Sequence, residues 1–309
     1  MKMSTSASML AAIVGLASVC SCGVAEQGSC LDPNAAGSNC TESKANAFSM
    51  DGYKLVWQNG SQASVWKLTA SADLASYKVY DAGAGWTPVS YSFGTQLWKH
   101  TSGKISLWTI NAYGDVLSKK EYGPYTGYSV VNYSYHHILW KDTANNANLW
   151  ALDDNDNNPR GTVFPSNGYV PTWFENSDNA IVWTDSTGQQ IKLSYLNYNS
   201  VPSVRFEKVW GPYATWTPVN FDNSTILWKD TNGQASVWHM DLVTGNLLSY
   251  SNFGPFATWT PAKYFEREIL WKDTNGQVSL WNMNDASSNV VTYKNYGPYA
   301  GWNAIDMTY

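Results

Sequence analysis

The chain has 309 residues, of which 14% are charged and 15% aromatic, and its net charge is −5. That length accommodates one large β domain. The three arginines (Arg160, Arg205, Arg267) are scattered and no run of cations stands beside them, which excludes nucleic acid as a partner because phosphates need clustered positive charge.

At the N-terminus Lys2 precedes an apolar run from Leu10 to Val19, too short to span a bilayer but of the length of an export signal. The following Val19-Cys20-Ser21-Cys22-Gly23 resembles a bacterial lipobox, with an aliphatic residue at −3, a small one at −1 and Cys22 as the lipidated cysteine. Residues 1–21 therefore read as a signal peptide of lipoprotein type; the alternative is cleavage after Ala25 and free secretion. Either route exports the chain, to an outer membrane or cell surface through a lipid anchor, or to the medium. Cys30 and Cys40 enclose a Pro/Asn/Gly-containing segment and read as a disulfide loop in an oxidising compartment, since a zinc site normally takes four ligands. Residues 22–46 form a tether and 47–309 a repeat domain.

One phrase recurs six times in that domain. Its clearest copies are Ile226-Leu-Trp-Lys-Asp-Thr-Asn-Gly-Gln-Ala-Ser-Val-Trp238 and Ile269 to Trp281, each followed by Gly-Pro-aromatic-x-x-Trp (Gly254–Trp259, Gly297–Trp302). The first tryptophans, Trp57, Trp98, Trp140, Trp183, Trp228 and Trp271, are 41 to 45 residues apart, a propeller-blade period. A second set is Trp66, Trp108, Trp150, Trp238 and Trp281, with Leu193 in unit four; a third is Trp86, Trp173, Trp216, Trp259 and Trp302, with Tyr128 in unit two. The remaining tryptophan, Trp210, fills an aromatic slot before Gly-Pro that Tyr122, Phe253 and Tyr296 fill elsewhere.

Each unit predicts four short strands and no helix. In unit five these are residues 217–221, 225–229, 235–240 and 247–252. Asn232-Gly233 and Asn275-Gly276 mark hairpins, and Asp142, Asp185, Asp230 and Asp273 can bond back to the turn backbone. Adjacent apolar residues such as Ile-Leu-Trp suit strands buried on both faces. The first Leu-Val-Trp phrase (Leu55–Trp57) has no glycine-to-tryptophan element before it, and the last such element (Gly301–Tyr309) has no Leu-Trp phrase after it. A C-terminal strand completing the first blade would close the ring and cover its edges. The fold expected is an all-β, six-bladed β-propeller of four-stranded blades, with seven blades as the lesser alternative.

The pattern W-x-P-V…I-L-W-x-[DN]-T-x-G-x-x-x-x-W resembles the FG-GAP/VCBS-type repeats of integrin-like propellers, over roughly residues 47–309. It is most similar to a bacterial relative common in secreted proteins. The resemblance implies a propeller and, in several relatives, lectin or adhesive activity. Calcium-binding members carry an Asp-x-[Asp/Asn]-x-Asp-Gly loop, but here the equivalents (Tyr91–Thr95, Tyr133–His137, Phe221–Thr225, Tyr264–Glu268) lack those oxygen ligands. The spacing of Asp154, Asp156 and Asn158 is suggestive, yet Pro159 stands where glycine should turn the loop, so it reads as solvated and neither metal nor cofactor is expected.

His100, His136, His137 and His239 read as repeat drift, and no unique constellation of acids and bases breaks the symmetry. The chain is expected to bind rather than catalyse. The candidate ligand-binding residues are Tyr125, Tyr213, Phe256 and Tyr299 after Gly-Pro, with Tyr128, Trp216, Trp259 and Trp302 three residues on. A rigid ring can stack on the apolar face of a sugar. Regular tryptophans are more often core, whereas the rings after Gly-Pro suit either role. The expected function is lectin-like carbohydrate recognition; the alternative is a protein-interaction or structural surface lipoprotein. Partners would be glycans or surface proteins.

Overall fold

The computed structural model describes residues 52–157, 159–197, 202–284 and 289–308; the export segment, Cys22, Cys30 and Cys40 lie outside them. The described residues form six four-stranded antiparallel sheets and no helix. These are the blades of a six-bladed β-propeller.

Unit five shows how the phrase becomes a blade. Its strands are Trp216–Asp222, Thr225–Asp230, Ala235–Met240 and Leu247–Phe253, paired in chain order, within a residue or two of expectation. Asp230 sets the second turn: its Oδ1 accepts the Asn232 and Gln234 N–H groups at 2.9 and 2.7 Å. Asp142, Asp185 and Asp273 cap their own turns in the same way. Gly233 is required here, because its φ is +83° and a Cβ would come within 2.8 Å of the Trp259 carbonyl oxygen.

The ring closes as the chain ends predict. Asn303–Thr308 pairs with Lys54–Asn59 and supplies the inner strand of blade 1. The other inner strands, in blade order, are Trp86–Ser92, Tyr128–Ser134, Val170–Glu175, Trp216–Asp222 and Trp259–Phe265. The apolar core lies between blades, and each cluster joins residues of two neighbours. The six phrase tryptophans anchor it at 0–1% exposure; losing an indole so buried costs about 3–5 kcal/mol.

A second device ties the inner strands together around the central channel. One register position holds Asp306, Ser90, Asn132, Trp173, Asn220 and Lys263 in blades 1 to 6. Each side chain bonds to the next blade. The Asn132 amide donates to the Phe174 carbonyl and accepts its N–H (3.0 and 2.9 Å), as Asn220 does with Tyr264 (2.6 and 2.7 Å). Tyr133 N–H donates to Ser90 Oγ at 3.2 Å, Tyr91 N–H to Asp306 Oδ2 at 3.1 Å, and Trp173 Nε1 to the Phe221 carbonyl at 3.0 Å. Lys263 closes the circle on Asp306 Oδ1 at 2.6 Å. Five of these six contacts satisfy a backbone N–H or C=O of the next blade's inner strand.

Register corrects two sequence assignments. Trp173 belongs to this inter-blade ring, and Tyr169, just before Val170, is the true counterpart of Trp86 and Trp216. In blade 4 the second-set slot is Ser194, not Leu193: Ile181 faces Ser194 as Ile226 faces Trp238. The turn capped by Asp185 is one residue longer, closing on Gln190, so counting ten residues on from Trp183 lands on the wrong face. Ser194 Oγ accepts the Trp183 indole N–H at 2.9 Å.

Candidate functional site

Each inner strand starts at a Gly-Pro-type loop and the second strand returns to it, so these loops and the Asn-Gly turns share one face of the disk. On that face the eight candidate aromatics separate into two groups. Tyr125, Tyr213, Phe256 and Tyr299 each wedge against the tryptophan pair of the blade they lead into, with ring centroids 5.1–5.5 Å apart and interplanar angles of 63–86°. That is edge-to-face packing, worth about 0.5–1.5 kcal/mol per pair beyond burial. The Gly-Pro peptides preceding these rings are cis. Tyr125 and Tyr299 are still 37% and 40% exposed. In blade 4 a cation replaces the wedge: Lys192 Nζ lies 4.3 Å from the centre of Trp183.

The other four, Tyr128, Trp216, Trp259 and Trp302, have no ring partner among the described residues. With Trp86 and Tyr169 they hold one position in all six blades, at or just before the start of the inner strand. Tyr128 is 39% exposed and the other five are half-buried. Trp86, Tyr169, Trp216 and Trp259 also pack against the inter-blade clusters, and Tyr125 and Tyr299 are as exposed as Tyr128: repetition at fixed phase does not distinguish a wedge from a crown. The residue after each crown ring is polar in five blades, Thr87, Ser129, Thr217, Thr260 and Asn303, and half-buried or exposed.

Four lysines share a further position. Lys99, Lys141, Lys229 and Lys272 face Thr87, Ser129, Thr217 and Thr260 across the first strand pair. Lys272 Nζ reaches the next blade and donates to Asn303 Oδ1 at 3.2 Å. Burial, and then the charge of Lys229, hold the Lys272 ammonium below its ordinary range.

The opposite face holds a cavity of about 600 Å³ at the channel mouth. Glu175, Asp222, Lys263 and Asp306 line it from blades 4, 5, 6 and 1. Burial, then the nearby Glu175, push Asp222 well above the carboxylate range, and burial also raises Glu175. For Lys263, burial opposes the charge but Asp306, Asp222 and Glu175 outweigh it, so the ammonium is held more tightly than usual. This grouping breaks repeat symmetry and is absent from the sequence reading. Its signal was the drift at one inner-strand position from Ser and Asn to Lys and Asp. On the rim, exposed Phe93 and Tyr135 stand 5.0 Å apart edge to face.

The acidic loop of blade 3 also differs from expectation. Asp156 is buried rather than solvated: Oδ1 accepts the Tyr133 hydroxyl at 3.1 Å and lies 2.8 Å from His136 Nδ1. His136 thus anchors the loop. Among the described residues no group of three or more His, Cys, Asp and Glu is placed to hold a metal ion.

No protein-family model and no curated protein matches the chain. Among solved structures it is similar to Hsv2 of Kluyveromyces lactis, at 10% identity and TM-score 0.49, over 77% of this chain and 73% of that one. It is also similar to the β-propeller domain of Cps50 (Swd1) from Myceliophthora thermophila, at 12% identity and TM-score 0.47, over 81% and 84%. A candidate 6-phosphogluconolactonase of Bacteroides fragilis aligns at 10% identity and TM-score 0.45, over 82% and 81%. These likenesses are of fold alone.

Proposed function

We propose that the protein is a carbohydrate-binding propeller, a binding protein rather than an enzyme, which presents its aromatic crown to sugar rings. The observation that carries this is the six-fold aromatic set, five of whose members precede a hydroxyl or amide residue. A flat ring beside a short hydrogen-bonding side chain matches a pyranose, which has an apolar face and an equatorial fringe of hydroxyls. Five similar weak subsites act together on a repeating ligand by avidity. Export and tethering through Cys22 belong to this proposal, supported by the apolar run of residues 10–19 and the lipobox-like sequence after it. So does kinship with the FG-GAP/VCBS repeats, supported by the phrase itself.

The test is a glycan-array screen of the full chain against a variant carrying Tyr128→Ala and Trp302→Ala, two crown residues outside the described core clusters. Glycan binding that drops at least tenfold in a variant of unchanged melting temperature supports the proposal. Absence of any glycan hit for the folded chain refutes it. The second reading, a protein-interaction scaffold, draws on the other face, where Phe93 and Tyr135 stand exposed beside a cavity large enough for a partner's side chain.

A further inference from the structure

Four lysines beneath the crown are neither sequence neighbours nor part of a basic run; they come 42, 88 and 43 residues apart and only the closed ring assembles them. Each stands at the end of the second strand next to the first residues of the inner strand, on the level of the crown. None forms an ion pair among the described residues. The aspartates that follow three of them, Asp142, Asp230 and Asp273, are occupied in capping their own turns. In blade 2 the aspartate slot is taken by His100, whose ring packs 4.9 Å from the crown residue Trp86. Lys229 and Lys272, on adjacent blades, feel each other's charge, and Lys272 donates its one hydrogen bond to a neutral amide. Lys99 is exposed and Lys141, Lys229 and Lys272 are half-buried; half-buried ammonium groups without a counter-charge are a cost to the fold that an anionic ligand would remove.

Resting on the carbohydrate reading above, we infer that the crown is built for an acidic glycan, its rings stacking on the sugars while Lys99, Lys141, Lys229 and Lys272 pair with carboxylate or sulfate substituents. The geometry favours a glycan over single-stranded nucleic acid, which also combines stacking with phosphate pairing. Here the cations are discrete points around a ring rather than a continuous groove, on a chain of net charge −5, and each crown ring but Tyr169 is followed by a hydroxyl or amide partner.

The experiment uses an array holding each oligosaccharide in matched acidic and neutral forms, such as galacturonate oligomers and their methyl esters, beside a twelve-residue single-stranded deoxythymidine oligonucleotide. The full chain is compared with Lys229→Gln/Lys272→Gln. The expected result is at least tenfold tighter binding of an acidic form than of its neutral match. That preference should shrink below threefold in the variant and weaken from 50 to 500 mM NaCl. Equal binding of acidic and neutral forms, or a preference the variant retains, overturns this inference and leaves the carbohydrate reading standing. Binding of the oligonucleotide in preference to every glycan, or of no glycan at all, overturns both.

Discussion

Glu268 offers a sharp test of how the blades are packed. It opens the second strand of blade 6, Glu268–Asp273, fully buried, at the register that holds Thr95 in blade 2 and Thr225 in blade 5. Burial pushes its carboxyl from 4.5 up to about 8, with Asn282 across the strand pair acting the other way. Between those two values the folded chain keeps a proton that the unfolded chain releases. The unfolded state binds fewer protons there, so stability falls as pH rises from 4.5 to 8, while below 4.5 both states are protonated and nothing is lost. At about 1.4 kcal/mol per pH unit, the cost is about 1 kcal/mol at pH 5, about 3 at pH 7 and about 4 at pH 8. Glu268→Gln keeps the shape and polarity of a protonated acid and does not titrate, so the variant should exceed the parent by those amounts. For a domain of this size, 3 kcal/mol corresponds to a rise in melting temperature of roughly 6–12 °C. Urea unfolding of both chains at pH 5, 7 and 8 measures the gap. The raised carboxyls of Glu175, Asp178 and Asp222 slope both chains alike and cancel in the difference. A gap that does not widen with pH, or a variant less stable than the parent at pH 8, refutes the reasoning.

Two further predictions separate structure from surface. Trp228→Ala should cost about 3–5 kcal/mol in urea unfolding and Tyr213→Ala about 2–3, because the first fills the inter-blade core and the second wedges it, whereas Tyr128→Ala should cost less than about 1 kcal/mol. Comparable losses for Tyr128 and Tyr213 would abolish the distinction between crown and wedge. At the ring closure, Lys263→Met leaves Asp306 without its cation and should cost about 2–4 kcal/mol; adding Asp306→Asn should recover at least half of that, measured as a double-mutant cycle.

The residues that were legible in the sequence are those whose role is local. Asp230 caps the turn two residues ahead of it, and Asn232-Gly233 turns the hairpin, whatever the rest of the chain does. Trp228 announces itself because the same interface recurs in every blade. Five of the six crown residues, Trp86, Tyr128, Trp216, Trp259 and Trp302, are legible from their spacing; Tyr169 is hidden behind Trp173, because residue type favours the tryptophan and register alone distinguishes the positions. A turn one residue longer hid Ser194 behind Leu193 for the same reason.

Period and phrase together determined the all-β class, the blade count and closure by the C-terminal strand, since a small sheet repeated every 41 to 45 residues has few ways to cover its edges. Only the tertiary structure decided which aromatic rings face solvent, for exposure depends on what the adjacent blade places against a ring. It also decided where charge gathers. Lys99, Lys141, Lys229 and Lys272 on one face, and Glu175, Asp222, Lys263 and Asp306 at the other mouth, are remote in sequence, and the closed ring makes them neighbours.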